Sequence, residues 1–361
     1  MAMEDWKKVV GSEAWMPADL EKDRSWEIGV DSAAQAELIE ALKGAMSRGV
    51  QLAEIGAGDF PLGPAAADLA RRIVEGVRDG RGFVVVRGMP SEGLSAQDAE
   101  LLSWGLCQHI GNCVSQNKDA ALVATVMDHG QKKGVKLQRG YGSNKELELH
   151  IDLTDVVGLL CLRQSPASPP SLISSSMSVF NQFLEERPDL LQVGLEGFQW
   201  DRLGEHAAWE SPITPYRVPV FSVAQGKVSC RYNRFWISSA HARMNKPLTP
   251  LQEEFFDFFD KAAKAAAFEF RLDSGDMYFA SNFTVTHGKR GHEGDPPDDD
   301  VKRVLLRLWL NIPGMRPVAD EEIIRWGLIE HGNLGWTGEE LLAGKHLGAG
   351  HKRSLSADRS A

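Results

Sequence analysis

Two residues of the sequence, His150 and Asp152, have the types and the spacing of a metal-binding pair. Alternate residues of a β-strand project to the same face of a sheet, so an imidazole and a carboxylate two positions apart converge. Both groups bind divalent transition metals. The pair by itself is a weak signal, because the same spacing is typical of a surface pair near a strand end.

A third possible ligand, His287, ends an apolar segment and precedes Gly288. Two histidines and one carboxylate, with coordination positions left open, form the ligand set of non-haem Fe(II) oxygenases. A structural zinc site would require a fourth protein ligand, often a cysteine, and no cysteine lies beside these residues at ligand spacing. His292 is an alternative third ligand, but it lies in a polar loop segment, so we prefer His287.

Arg303 and Arg307 lie four positions apart in an apolar segment over residues 301–310. On a regular strand this spacing places both guanidinium groups on one face. An arginine buried among leucines is costly unless an anion pairs with it. The partner of Arg307 is either a protein carboxylate or the carboxylate of a bound ligand, which the guanidinium fork matches with two hydrogen bonds.

These residues need strands to position them, and the second half of the chain predicts such strands. Short apolar segments separated by turn residues begin near residue 120, with helical patterns at 178–192 and 249–267. The predicted strands are 156–163, 217–223, 227–232, 268–272, 277–285 and 303–310. The pattern favours a mixed α+β fold with a double-stranded β-helix (jelly-roll) core and flanking helices. No glycine-rich phosphate-binding motif is present, so a nucleotide site is unsupported.

The first part of the chain predicts mainly helices. Capped helical patterns cover 32–47, 64–79 and 95–110, and a glycine-bounded apolar segment at 82–88 predicts a buried strand. We therefore expect three regions along the chain. Residues 1–79 would be a helical segment that packs on the core, residues 80–340 the β-helix domain, and residues 341–361 a disordered polar tail.

The composition is that of an ordinary globular protein, with 361 residues, 43% hydrophobic, 25% charged and a net charge of −10. No basic run suggests a nucleic-acid partner, and no apolar run is long enough to cross a membrane. The four cysteines form no CxxC pair and are expected to be buried reduced thiols. With no apolar signal sequence at the N-terminus, these features predict a cytoplasmic protein that binds a small molecule.

Taken in order, these segments resemble the TauD/TfdA family, which includes taurine dioxygenase. The resemblance covers about residues 80–315. Its landmarks are the family's early strand, its HxD element, its distal histidine segment and its arginine strand, at 82–88, 149–152, 281–288 and 306–310. The segments 116–117, 155–163 and 231–234 are similar to a TfdA-like branch whose substrates are mostly unassigned.

The resemblance implies an Fe(II)- and 2-oxoglutarate-dependent oxygenase that uses O2. Such an enzyme hydroxylates, desaturates or cyclises a small organic molecule and releases succinate and CO2. The implied iron ligands are His150, Asp152 and His287. Arg307, assisted by Arg303, would pair with the 2-oxoglutarate carboxylate distant from iron, and Ser171 would add a hydroxyl. An aspartate at position 152 argues against halogenation, because related halogenases have a small residue there.

The chain departs from the family pattern in two places and in the long acidic loop over residues 291–300. Ser171 follows two prolines where the family usually has a threonine after a glycine pair. After His287 the family commonly has an arginine, where this chain has Lys289 and Arg290.

Substrate contacts are expected from polar residues in segments that approach the barrel mouth: Gln116, Asn117, Tyr141, Asn282 and Arg234. For each of them a structural hydrogen bond is an equally good interpretation. Family habit implies a homo-oligomer.

Two other functions are compatible with the sequence. An oxygenase fold could serve as a catalytically silent binding protein, although the intact ligand set argues against it. A cupin-like hydrolase or isomerase could use zinc or manganese at the same triad, but it would have no use for Arg307. Succinate production and 2-oxoglutarate binding at anaerobic Fe(II) separate both from an oxygenase.

Overall fold

The protein is represented by a computed structural model that describes residues 6–117, 119–127, 146–166, 168–206, 211–291, 302–317 and 335–347. The helices are Pro17–Lys22 (α1), Ser32–Ser47 (α2), Pro64–Arg78 (α3), Ala96–Cys107 (α4), Ser176–Glu186 (α5), Pro188–Glu196 (α6), Arg234–Arg243 (α7), Pro250–Ala265 (α8) and Gly338–Leu342 (α9). The strands are Glu27–Gly29 (β1), Phe83–Arg87 (β2), Asn112–Val114 (β3), Ala124–Met127 (β4), Leu147–His150 (β5), Val156–Arg163 (β6), Ser171–Ser175 (β7), Phe221–Ala224 (β8), Lys227–Cys230 (β9), Phe268–Phe270 (β10), Met277–Ser281 (β11), Val285–Lys289 (β12) and Val304–Asn311 (β13). Among the helices so described, none has the length and apolarity needed to span a membrane.

Most strands belong to two sheets. The larger sheet has the order β1-β2-β11-β6-β13-β3, and β4 also pairs with β13. The smaller sheet has the order β10-β7-β12-β5, and β8 pairs with β9 in a separate hairpin. The pairings are antiparallel except that β1 runs parallel to β2. The predicted mixed fold of helices and antiparallel sheets is therefore confirmed.

Two apolar cores lie on the two faces of the larger sheet. One packs that sheet against α2, α3 and α4, and it takes Leu306 and Leu308 from β13. The other lies between the sheets and beneath α5, α6 and α8, and it takes Leu305 and Trp309. Because side chains alternate along a strand, Arg307 faces the space between the two sheets.

The N-terminal region contributes a strand as well as helices. Glu27 of β1 is paired with Val85 of β2, so this region extends the larger sheet at its edge. The sequence predicted only helices before residue 80, because a strand of three residues is too short for its periodicity to be recognised.

Two predicted elements are each divided in the structure. The helix predicted over 178–192 is two helices, because Pro188 lacks an N–H and restricts Arg187 before it. The strand predicted over 277–285 is also two. β11 ends at Ser281 in the larger sheet, and residues 282–284 carry the chain to β12 in the smaller sheet.

The tail predicted to be disordered begins within an ordered element. Leu341 and Leu342 complete α9, and Lys345–Leu347 form a short 3-10 turn. The remaining residues of that prediction, 348–361, lie outside the described residues.

Candidate active site

The smaller sheet brings the two predicted histidine ligands together. His150 ends β5 and His287 lies in β12, and the two residues are directly opposite each other in the antiparallel register. Their ring centroids are 4.7 Å apart. Asp152 follows two residues after His150, and the ligand atoms of all three residues lie within 4.8 Å of one another. The predicted triad is one cluster in space.

Each histidine presents a nitrogen toward the cluster. His150 Nδ1 lies 2.7 Å from the Glu148 carbonyl oxygen, to which it donates a hydrogen bond, so Nε2 remains as the atom for a metal. Metal-binding histidines commonly fix their tautomer in this way. His287 Nε2 lies 4.0 Å from Asp152 Oδ2, so it faces the same point.

Asp152 is held by three side chains, two of which contact its carboxylate. Its Oδ2 accepts hydrogen bonds from Trp309 Nε1 at 2.9 Å and from Arg307 Nη1 at 3.3 Å. Its backbone N–H donates to Asn282 Oδ1 at 2.9 Å. Burial alone would raise the pKa of Asp152, but Arg307, the two histidines and Trp309 lower it to about 2. The carboxylate is therefore ionised.

His287 is uncharged at neutral pH. Burial and the neighbouring His150 together lower its pKa to about 3, and the charge of Asp152 opposes this shift only in part. A metal requires neutral imidazoles and an ionised carboxylate. Two of the ligands, His287 and Asp152, are already in these states, and the set of two nitrogens and one oxygen fits Fe(II).

Arg307 lies at the metal end of the site and is anchored by Gln116. Its Nε donates to Gln116 Oε1 at 2.8 Å, and the Gln116 amide nitrogen donates to the Arg307 carbonyl at 2.6 Å. The guanidinium also lies 5.1 Å from the centre of the Trp309 ring. Gln116 was predicted as a substrate contact, and the structure places it as a support for Arg307.

Ser171, Lys289 and Arg303 belong to the other end of the space between the sheets. Ser171 is paired with Lys289, which lies two residues beyond His287 and so shares its face. Lys289 is buried. Arg303 Nη1 lies 3.3 Å from the carbonyl of Pro169, two residues before Ser171. The predicted Arg303 and Ser171 are therefore near each other.

The other predicted substrate contacts have different surroundings. Asn282 is buried and supports Asp152 through its side-chain oxygen. Asn117 Oδ1 accepts a hydrogen bond from the Ala121 amide within its own turn. Arg234 lies at the start of α7 and pairs with Glu253, Asp257 and Asp260 of α8, which does not bring it to the triad. Tyr141 and the alternative ligand His292 lie outside the described residues.

Trp309 is a site residue that the sequence analysis did not assign. Tryptophan among leucines is common in buried strands, so its residue type alone does not distinguish Trp309 from a core residue. The signal that was available is the alternation of side chains along a strand, in which every second residue faces the same side. Since Arg307 faces the site, Trp309 must face it too.

Comparison with known proteins gives a consistent match over most of the chain. Residues 28–309, which include the triad and both arginines, match the family described as "Taurine catabolism dioxygenase TauD, TfdA family". FR-33289 synthase of Streptomyces rubellomurinus is 30% identical over 329 residues, 89% of this chain and 96% of that protein. Taurine hydroxylase-like protein SAT17 of Stachybotrys chartarum is 24% identical and aligns over 85% of this chain and 83% of its own length.

Solved structures share the fold at lower identity. Asparagine oxygenase, in complex with Fe(II), 2S,3S-3-hydroxyasparagine and succinate, is 18% identical with a TM-score of 0.62. The alignment covers 79% of this chain and 93% of that one. The non-heme iron oxygenase OrfP, in complex with Fe and alpha-ketoglutaric acid, is 16% identical with a TM-score of 0.58 over 79% of this chain and 94% of its own.

Proposed function

Because this chain belongs to the TauD/TfdA family and is an Fe(II)- and 2-oxoglutarate-dependent oxygenase of small molecules, we propose that His150, Asp152 and His287 hold its iron. The geometry of the triad carries this proposal. Its ligand atoms lie within 4.8 Å of one another, His150 is oriented by a backbone carbonyl, and Asp152 is ionised. Three protein ligands on one face of the metal leave coordination positions open for 2-oxoglutarate and O2.

The two arginines serve the two ends of the site in this proposal. Arg303, beside Pro169 and Ser171, lies where a hydroxyl and a guanidinium can hold the carboxylate of 2-oxoglutarate distant from the metal. The buried Lys289, opposite Ser171, adds positive charge there. Arg307 contacts Asp152 itself, so it lies at the metal end. This proposal departs from the expectation that the resemblance gave, in which Arg307 was the main partner of the distal carboxylate and Arg303 assisted it.

The position of Arg307 also suggests the chemical class of the substrate. A guanidinium has five N–H donors and no acceptor, and it binds carboxylate or related anions best. At the metal end of the site it can orient an acidic substrate beside the iron. We propose a small organic acid as substrate. Two solved neighbours are bound to amino acids, asparagine oxygenase to 2S,3S-3-hydroxyasparagine and the non-heme iron oxygenase OrfP to L-Arg, and each of these ligands carries a carboxylate.

The residues of the chain bind, orient and shield the reactants. Iron, when bound, supplies the redox chemistry that converts 2-oxoglutarate and O2 to succinate and CO2 while a substrate C–H bond is oxidised. Trp309 and Arg307 fix the Asp152 carboxylate and keep it ionised. Gln116 fixes Arg307 in turn, and the apolar residues between the sheets exclude water from the site.

The decisive experiment has two parts. Anaerobic protein with Fe(II) should show a new visible absorption band on addition of 2-oxoglutarate, and small acids should be screened aerobically for succinate formation. A cupin-like hydrolase or isomerase would give no band. A silent binding protein would give a band but no succinate above the level without a substrate. Either result would contradict the proposal.

Three finer expectations remain proposals. The two facing antiparallel sheets support a double-stranded β-helix, which an experimental structure with metal would test. The four cysteines are buried free thiols, as expected for a reducing cytoplasm, and fractionation of the source cells would test this location. The homo-oligomer implied by family habit is tested by light scattering of the purified protein.

A further inference from the structure

Tyr278 places a hydroxyl in the apolar core between the two sheets. It lies in β11 between Met277 and Phe279, which face the helices, and it is 2% exposed. Within the described part of the chain its hydroxyl has no hydrogen-bond partner. A buried hydroxyl without a partner is costly to the folded protein. The side chain therefore points to a partner that the described residues do not supply.

The strand register places Tyr278 beside the site. Tyr278 is paired with Leu159, and Leu159 is paired with Arg307. Paired residues on neighbouring strands project to the same face, so Tyr278 and Arg307 share the inner face with one strand between them. The Tyr278 ring packs with its centroid 5.2 Å from that of Phe270, which is paired with Ser171.

The environment of Tyr278 keeps its hydroxyl a hydrogen-bond donor. Burial holds the pKa of Tyr278 well above its usual value, and the nearby charge of Asp152 adds to this effect. A phenol that stays protonated has one proton to donate, and an ionised carboxylate only accepts. A buried carboxylate ligand is thus the complementary partner.

We propose that the Tyr278 hydroxyl donates a hydrogen bond to the carboxylate of 2-oxoglutarate distant from the metal, alongside Arg303 and Ser171. The inference rests on the proposed function, since it assumes that this acid lies between the sheets. Tyr278 approaches the pocket from the larger sheet, through the ring contact with Phe270, while Ser171 approaches from the smaller sheet. The two hydroxyls would hold the carboxylate from opposite walls.

The test is the dissociation constant of 2-oxoglutarate, measured by calorimetry on Mn(II)-loaded protein without turnover. Tyr278→Phe should weaken binding about 10- to 100-fold, because a hydrogen bond to a charged acceptor is lost. The same variant without ligand should unfold at the same temperature as the wild type or higher, because a buried unpartnered hydroxyl has been removed. If Tyr278 had only a structural role, the variant would bind 2-oxoglutarate as the wild type does and would unfold at a lower temperature.

Two controls locate the contact. The acid 2-oxopentanoate has the same keto-acid end but no distal carboxylate, so it should bind the wild type and Tyr278→Phe equally. Tyr232→Phe removes a second buried hydroxyl, which donates to Asp260 at 2.5 Å in the helix-covered core. That variant should be less stable but should bind 2-oxoglutarate as the wild type does.

The outcomes separate this inference from the proposed function. Unchanged binding of 2-oxoglutarate to Tyr278→Phe would overturn the role of Tyr278 alone. Equal weakening of both keto acids would move the contact to the metal end and overturn its assignment to the distal carboxylate. If the wild type binds no 2-oxoglutarate with either Mn(II) or Fe(II), the proposed function itself fails.

Discussion

At the scale of single residues, Asp152 is the point where the contacts of the site meet. Trp309 and Arg307 donate to its carboxylate, and Asn282 accepts from its backbone N–H. A carboxylate held in this way has one orientation, which suits a ligand that must leave positions open for the reactants. The proposed iron centre therefore depends on residues that do not touch the metal as well as on the three that do.

Replacement of the carboxylate should abolish the activity and leave the fold intact. We expect Asp152→Ala to lower turnover more than about 100-fold, because one of three ligands is lost. Succinate formation measures the activity, and circular dichroism checks the fold. The exposed Asp189 provides the control, since Asp189→Ala should retain activity. Wild-type turnover in Asp152→Ala would refute the ligand assignment.

The Trp309 hydrogen bond should contribute to metal affinity. Trp309→Phe keeps an aromatic ring but loses the N–H that orients Asp152, so we expect metal binding to weaken about 10- to 100-fold. Calorimetry with Mn(II) measures this directly. The matched control is Trp104→Phe, which loses a hydrogen bond to the Ile55 carbonyl in the helix-side core. Trp104→Phe should cost stability and leave metal affinity unchanged, and equal metal affinity in both variants would refute the role of Trp309.

Residue chemistry explains which site residues could be predicted from the sequence. Histidine, aspartate and arginine in apolar segments need a partner, so His150, Asp152, His287 and Arg307 stand out. Tyr278 does not stand out, because an aromatic residue in an apolar strand looks like ordinary core. That its hydroxyl has no hydrogen-bond partner among the described residues is a property of three-dimensional packing, which no local pattern contains.

At the scale of elements, the close approach of β12 to β5 holds the two histidines opposite each other. Gly288 lies between His287 and Lys289 in β12, and a Cβ atom there would lie 2.4 Å from the Leu147 carbonyl oxygen of β5. The glycine that follows the ligand therefore allows the two strands to come together. Its presence has a steric reason that belongs to the strand pair and not to the metal.

A methyl group at this position should open the site. We expect Gly288→Ala to push β5 away from β12, separate the histidines and weaken Mn(II) binding at least about 10-fold. Gly29→Ala in β1 is the matched control, because nothing lies within 4 Å of a Cβ at that strand position. Calorimetry compares the two variants. Unchanged metal affinity in Gly288→Ala would show that the strands tolerate the methyl group.

The sequence predicted most helices and strands more accurately than it predicted how the chain connects them. The cap at Asp31 and the apolar period predicted α2 with the bounds that the structure shows, 32–47. The division between β11 and β12 was missed because the residues on both sides of it are buried and the polar residues at the division, Ser281, Asn282 and Thr284, are buried as well. That division transfers the chain from one sheet to the other and places His287 opposite His150. The arrangement of the site thus depends on the passage of the chain from one sheet to the other, which the periodicity of the sequence does not predict.

At the scale of the whole molecule, stability depends on pH through the half-buried Asp155. Burial raises its pKa to about 6, although Arg231 and a hydrogen bond from the Ile312 amide oppose the shift. In the unfolded chain an aspartate titrates near the model-peptide value of about 3.9. Between these values the folded state binds the extra proton, so the free energy of unfolding falls as the pH rises from about 4 through 6.

Removal of the Asp155 charge should stabilise the protein at a pH above the range in which this carboxyl titrates, and not at a pH below that range. Asp155→Asn keeps an oxygen that can accept from the Ile312 amide, and it should raise the free energy of unfolding by at most about 3 kcal/mol at pH 7.5. At about pH 4 the gain should vanish, because the wild-type carboxyl is then protonated in the folded state. Urea unfolding at both pH values checks this. An equal increase in the free energy of unfolding at both pH values would show that the effect comes from packing and not from the charge.

The position of β5 gives the metal a second consequence for the molecule. Among the strands that the structure describes, β5 is the last of the smaller sheet, and it pairs with β12 on one side. An ion bound by His150 of β5 and His287 of β12 would cross-link this edge strand to its interior neighbour. Loss of the ion would leave this four-residue edge strand held by its backbone hydrogen bonds to β12 and by the packing of Leu149 in the core, and a loosened edge strand can template aggregation. Iron starvation would then threaten the lifetime of the protein as well as its turnover.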